Sequence, residues 1–530
     1  MYDLLIRGGL LVDGTKAAPF RADLAVKENR IAKIAPDIHG EAAEVIDATG
    51  MMVSPGFIDV HTHDDIVFDR DPLNEPKLRQ GVTTVIVGNC GFGVAPAVGE
   101  CRQDLIDYNT PILGEETKEL LFDSFGQYLE HLDSIPKAMN VAALVPHGAV
   151  YMSANGFSDL LMGPEELKNA CASVREAMEA GAVGLSFGLM YAPGCYSPQT
   201  EIEALAAEVG KAGGVVTVHM KSESDHFRES VMAAAELSKT CHTAVEISHL
   251  KNVGKEYWGN MSGVLNWLGE KLREGADLSF DMYPYTMGST TMAILFPTEY
   301  MKTGIKPLLE SLKDPMVRGE ISKRLKESWG DEDNLSLLCG WENVIISSVK
   351  TEKNRWALGK SVREIAARRQ QAEDETFMEL FMEEDGEVSV LLNHIAQKDM
   401  EDTLMFERVS VASDGLPGAK APHPRLYGTF PKYLREFVRE KKLLTWEEAI
   451  YKITRQPAER FHLGERGILR EGCYADITIF DPDTICDTAT FDHPVSYPTG
   501  ISHVIVNGKP VLSQGLTGGA REGTLIRRSY

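Results

Sequence analysis

The sequence predicts an α/β fold: a (β/α)8 TIM-like barrel with a small β-sandwich domain built from both termini and a helical lid insertion. Three observations predict it. Short β-branched runs alternate with helical segments through the middle of the chain, eight such runs can be found, and both ends read instead as short strands separated by turns.

The N-terminal segments DLLIRGG, GLLVDG, ADLAVKENRIAKIA and AEVIDATG alternate as strands broken by Gly or charged turns, and ADITIFDP, ISHVIVNGKPVL and GTLIRRS do the same at the other end. Neither set makes a stable sheet alone, because an isolated hairpin buries too little. Pairing them gives one β domain, from residues 1–54 and 455–530, around a barrel at 55–454.

The expected barrel strands are VSPGFIDV (53–60), TTVIVGN (83–89), VAALVP (141–146), AVGLSF (182–187), VVTVH (215–219), AVEISH (244–249), ADLSFDMY (276–283) and RVSVAS (408–413). Helical patterns such as PEELKNACASVREAMEAG, EIEALAAEVGKAGG and SGVLNWLGEKLREG lie between several of them. The gap from 284 to 407 is too long for one crossover, and a Lys-, Glu- and Leu-rich stretch near 293–345 reads as the lid.

Composition narrows the function. The 530 residues carry 54 Lys+Arg against 78 Asp+Glu, a net charge of −24, which argues against nucleic-acid or anionic-lipid partners. With 43% hydrophobic and 25% charged residues the chain is of globular type, and no apolar run reaches the ~18 residues of a membrane span. The start, MYDLLIRGGLLVDG, lacks the pattern of a secretory signal, and the eight cysteines are scattered, so a cytoplasmic protein is expected.

The densest chemical signal is PGFIDVHTHDD. His61 and His63, two apart at a strand end, point to one face, and imidazole is the commonest ligand of zinc-like ions. Taken alone, the pair fits two histidines capping a buried strand as well. Other expected strand ends repeat the pattern: Cys90 follows TTVIVGN, His219 closes VVTVH, His249 closes AVEISH and Asp414 follows RVSVAS. Barrel strands deliver such side chains to the active-site mouth, and core packing explains the set poorly. Most of the other histidines fall away from strand ends and read as surface or structural groups, with His147 and His423 as candidates for supporting contacts.

This pattern resembles the amidohydrolase superfamily of metal-dependent barrels. More narrowly, GNCGFGVAP, SFGLMYAPG, ISHLKNVG, DMYPYTMGST and SDGLPGAKAPHPRLYGTFPKYL resemble the D-aminoacylases, the N-acyl-D-amino-acid deacylases, over nearly the whole chain. The resemblance implies zinc-dependent hydrolysis of N-acyl-D-amino acids, with one tight Zn2+ site at Cys90, His219 and His249. It implies a second, weaker metal position among His61, His63 and Asp414. A Cys/His/His set leaves one coordination position open, as a catalytic zinc requires. Cys90 read singly also fits a small core residue or a nucleophile, and Asp414 also fits a turn cap before Gly. In the family reading Asp414 is the general base and acid.

The resemblance further implies that Lys251, Tyr283, Ser289 and Arg425 bind the substrate carboxylate, with Arg suited to a bidentate grip. One departure stands out: relatives that bridge two metals through a carboxylated Lys on the fourth strand have it where this chain has Ser186 and Phe187. That disfavours hydrolysis of a cyclic amide or a dipeptide on the same barrel. A non-catalytic scaffold is the remaining alternative, although every candidate ligand is present. The partner expected is a small N-acyl amino acid, and monomer and homo-oligomer stay open alike. Because that substrate is an anion and the chain is acidic, local cations such as Lys251 and Arg425 must capture it.

Overall fold

The computed structural model describes residues 1–528. Eight parallel strands form the central sheet: β1 (Phe57–Asp59), β2 (Val82–Val87), β3 (Asn140–Pro146), β4 (Gly184–Gly188), β5 (Val215–His219), β6 (Ala244–Ile247), β7 (Leu278–Met282) and β8 (Val409–Val411). Each pairs with its neighbours in sequence order. Strands covered on both faces need continuous apolar runs, and VTTVIV in β2 and NVAALVP in β3 are buried at every position. The three expected crossover helices occupy Pro164–Ala180, Gln199–Ala212 and Met261–Arg273.

The run VSPGFIDV divides in two. Met52–Pro55 pairs with Ile477–Phe480 in the terminal sheet, while Phe57–Asp59 enters the barrel. Gly56 is the pivot, and a Cβ there would stand 2.1 Å from Thr83 Oγ1. Only glycine lets the chain pass from one sheet to the other this close to β2.

β1 and β8 do not pair as strands. The barrel closes just beyond their ends, where Asp414 N–H donates to His61 O at 2.7 Å and His63 N–H donates to Gly415 O at 3.1 Å. Beneath this bridge Ser413 N–H donates to Asp59 Oδ1 at 2.9 Å, and the buried Lys77 ammonium donates to Asp59 Oδ2 at 2.6 Å and to Ser413 Oγ. The seam therefore fixes the candidate ligands of β1 against Asp414.

Both termini meet in one nine-stranded sheet whose path runs from Leu516–Thr517 through Ile477–Phe480, Met52–Pro55 and Tyr2–Leu11 to Arg30–Ala35. Its core packs Leu4, Ile6, Leu24, Val26, Val53, Ile477, Ile479 and Ile505. Between β7 and β8, helices at Ile305–Ser311, Pro315–Arg324 and Leu335–Cys339 fall in the stretch expected to form the lid. The insertion runs beyond the expected 293–345 on both sides: it adds a three-stranded antiparallel sheet, Met287–Thr291, Val344–Ser348 and Ser389–Asn393, and packs its own core around Phe296, Ile346, Phe377, Phe381 and Val390, so the lid takes in residues 287–394. Among the described residues, no helix is long and apolar enough to cross a membrane.

Candidate active site

The candidate ligands converge at the C-terminal ends of the barrel strands. His61 lies two residues past β1 and His219 ends β5, whereas Cys90, His249 and Asp414 follow β2, β6 and β8 in short turns. All three turn residues have left-handed backbones, with φ of 54°, 35° and 48°. Positive φ is uncommon in residues other than glycine and costs strain, which concentrates at functional sites. Ligand atoms of Cys90, His219 and His249 lie within 4.8 Å of one another, as do those of His61, His63 and Cys90, and those of His61, His249 and Asp414. Cys90 Sγ is 3.2 Å from His61 Nε2 and 3.6 Å from His249 Nε2.

The donor set fits a cation. Both ring nitrogens of the buried His219 lack any hydrogen-bond partner, a state that buried polar groups avoid unless something else binds them. Burial, reinforced by the neighbouring His249 charge, pushes His219 well below the usual imidazole range and so into its metal-binding neutral form. Burial pushes the Cys90 thiol up, so a nearby cation is what would make it a thiolate ligand. At His61 burial opposes protonation, yet Asp281, Cys90 and Asp414 raise its pKa well above the usual value. The field at this point favours positive charge.

Three supporting groups were not among the expected site residues. Asp281, in β7, lies 3.2 Å from His61 Nδ1 with both carboxylate oxygens and accepts the His249 backbone N–H at 2.9 Å. With a cation at the cluster, this contact would hold the proton of His61 on Nδ1 and leave Nε2 toward the cluster. Ser186, where a bridging Lys is absent, accepts from Gly91 N–H at 3.0 Å and donates to Gly88 O, bracing both sides of the Cys90 turn. Gly88 has φ of +82°, and a Cβ on it would strike Leu144 O at 2.0 Å, so the turn requires glycine. Glu223 accepts from Lys251 Nζ at 2.6 Å, and its Oε1 is 3.2 Å from His249 Nδ1.

The expected substrate residues are also here, but their charges are engaged. Lys251 is paired with Glu223 and lies 2.8 Å from His249 Nδ1. Arg425 is fully buried, with Nη2 3.0 Å from Asp414 Oδ2 and its guanidinium 4.5 Å above the Tyr283 ring. Arg425 Nε and Nη1 and Ser289 Oγ have no partners. Asp414 Oδ1 is 3.3 Å from His63 Nε2. Burial alone would raise the Asp414 carboxyl, but Arg425, His61 and His63 hold it well below the usual carboxylate range, so it is ionised.

Of the two other histidines singled out, His423 accepts the Arg425 backbone N–H at its Nδ1, 2.9 Å away, and so orients that residue. His147 contacts Ser197 Oγ at 3.4 Å, packs on Phe187 and touches none of the candidate ligands through a hydrogen bond. His394, from the lid, lines the pocket with Phe92, Ile112, Met190, Tyr191, Tyr283 and the candidate ligands His63, Cys90, His219, His249 and Asp414.

The family model described as "Amidohydrolase family" matches residues 44–287 and 404–512, which omits most of the lid. The D-aminoacylase of Alcaligenes xylosoxydans xylosoxydans is 32% identical over 100% of this chain and 98% of its own. The N-acyl-D-glutamate deacylase of the same organism is 33% identical over 99% and 96%. Among solved structures, a D-aminoacylase superposes with a TM-score of 0.85 at 30% identity, covering 100% of both chains. The N-acyl-D-glutamate deacylase of Bordetella bronchiseptica, solved with zinc and a phosphonate mimic of the tetrahedral intermediate, gives 0.85 at 31% over 99% of both. A strand-end ligand set inside a barrel of this form, with a family match to both sides of the lid and relatives spanning the full length, establishes that the chain belongs to the amidohydrolase family.

Proposed function

We propose that this protein is a zinc-dependent hydrolase of the amide bond in N-acyl-D-amino acids, releasing a carboxylate and a free D-amino acid. The observation that carries the reading is the Cys90, His219 and His249 cluster next to an ionised Asp414, with unpaired donors of Arg425 in the same corner. Full-length similarity to D-aminoacylase and to deacylases of N-acyl-D-glutamate and N-acyl-D-aspartate supports the substrate class.

Cys90, His219 and His249 would hold the tight zinc, and His61, His63 and Asp414 the weaker position. When bound, zinc activates water and polarises the amide carbonyl. The chain's own residues do the rest. Arg425, Tyr283 and Ser289 take the substrate carboxylate, and Lys251, turned to Glu223, adds charge beside His249. Asp414 Oδ1 accepts a proton from the attacking water and returns it to the leaving amine nitrogen, a transfer worth about 10²–10⁴ in rate. Phe92, Ile112, Met190 and Leu416 close the pocket's apolar wall and exclude bulk water. The eight cysteines are all free, which accords with a cytoplasmic protein.

Amino-acid release from paired N-acetyl-D and N-acetyl-L panels, with and without zinc, tests the reading. Zinc-dependent release from D substrates is expected. Release from the L series alone, or none from either series by zinc-loaded protein, contradicts it.

A further inference from the structure

The lid strand Ser389–Asn393 is followed directly by His394, whose ring lines the active-site pocket. The residue is 5% exposed, and neither ring nitrogen has a hydrogen-bond partner. Its backbone, by contrast, is pinned. The His394 carbonyl accepts Trp258 Nε1–H at 3.2 Å and Gly254 N–H at 3.4 Å, both from the loop after β6, and Ile395 N–H donates to Thr286 O at 3.2 Å. The chain therefore fixes where the imidazole stands while leaving its polar atoms unused, an arrangement that buried groups adopt when a ligand completes them.

The neighbouring groups identify the ligand's chemistry. A Cβ on Gly288 would stand 2.9 Å from His394 Nε2 and 3.2 Å from the Tyr283 hydroxyl, so the two polar tips flank this glycine. The adjacent Ser289 Oγ is unpartnered, and so are Nε and Nη1 of Arg425, which lies over the Tyr283 ring. Two guanidinium nitrogens with three N–H groups between them, a hydroxyl and one imidazole N–H make a surplus of donors in one corner. A carboxylate offers about four acceptor positions on two oxygens and matches that surplus. Burial, with the nearby Lys251 charge, holds the imidazole neutral, lowering its pKa to about 3, so it contributes one donated hydrogen bond and no charge.

We propose that His394 is a substrate-binding residue that donates a hydrogen bond to the carboxylate of the N-acyl amino acid, completing from the lid the cradle of Arg425, Tyr283 and Ser289. The inference rests on the hydrolase reading above. It makes the lid part of substrate recognition, so that the carboxylate is fully held only while the lid sits on the loop after β6.

The test compares the best N-acetyl-D-amino acid of the panel with its carboxamide, which keeps the scissile bond and loses the anion. His394→Phe should raise KM for the acid about 10- to 100-fold, the range for a hydrogen bond to a charged group, with kcat within about threefold. The carboxamide should change little, so the preference for the acid contracts by the same factor. His394→Asn, which restores a donor, should recover much of the loss, and His394→Leu, which also lacks a donor, takes the place of the phenylalanine variant should that one fail to fold. An unchanged KM for the acid, or equal losses on both substrates, overturns the inference while leaving the hydrolase reading intact. A zinc-loaded wild type that hydrolyses neither substrate overturns both.

Discussion

Replacing Lys77 with methionine removes the charge that clasps the barrel seam while keeping the side chain's length. The Lys77 ammonium stands 2.6 Å from Asp59 Oδ2 and 3.8 Å from Asp64 Oδ2 and also meets Ser413 Oγ, and all four residues are 0% exposed. The substitution leaves two carboxylates buried around an apolar group. Breaking a buried pair from one side costs about 3–5 kcal/mol. With an unfolding entropy of about 2.1 cal/mol/K per residue, the 530-residue chain gives about 1.1 kcal/mol/K, so the thermal midpoint should fall by about 3–5 °C. Lys168→Met is the control, because its 3.1 Å pair with Glu165 is 72% exposed on both sides and such pairs contribute under about 1 kcal/mol. Calorimetry at one scan rate on both variants and on Lys77→Met/Asp59→Asn, which should recover part of the loss, supplies the comparison. A midpoint shift for Lys77→Met no larger than the control's would refute the claim that this lysine holds the seam.

Other perturbations probe the site and the fold separately. Asp414→Asn keeps the shape but cannot accept a proton, so turnover should drop by about 10²–10⁴ with zinc still bound; near-normal hydrolysis would remove the general-base role. Asp281→Asn should weaken binding of a second zinc equivalent at the weaker position about 10- to 100-fold by releasing the His61 ring, and a competition titration showing wild-type affinity for that equivalent would count against it. Lys452 is buried against the carbonyls of Phe406 and Val409, and burial lowers its pKa to about 7. Between pH 7 and about 10.5 the unfolded chain keeps a proton that the folded side chain has lost, so wild-type stability gains from this group as pH rises through that window. Lys452→Met should lack that rise, whatever its offset, and midpoints tracking the wild type at every pH would disprove it.

The barrel was legible because strands covered on both faces write continuous apolar runs, and because His61, His219 and Asp414 interrupt or end such runs with groups that core packing rejects. The division of VSPGFIDV was not, since Gly56 turns the chain only in response to Thr83, a tertiary neighbour. The left-handed backbones at Cys90, His249 and Asp414 fall on residues other than glycine, which a sequence does not announce, although Gly88 and Gly91 mark the turn around Cys90 and Gly415 follows Asp414. Asp281 did leave a signal, a carboxylate inside the buried run LSFDM. Glu223 and Lys77 left none: one sits in a polar loop, and the other, in NEPKLRQG, has the appearance of a solvated helix face. His394 follows SVLLN within the long gap between β7 and β8, where nothing local aims it at the barrel. Lys251 and Arg425 were implied by the family resemblance alone, and their ion pairs with Glu223 and Asp414 emerge only from the folded chain. The substrate anion therefore meets locally neutralised cations with spare donors, not bare charges.

The central claim is a catalytic zinc held by Cys90, His219 and His249, and hydrolysis measured against bound zinc tests it most directly. Protein stripped with a chelator and titrated with zinc should regain hydrolysis of an N-acetyl-D-amino acid in step with the first equivalent bound. Full hydrolysis by the metal-free protein, or a first equivalent that binds without restoring any, would contradict the account.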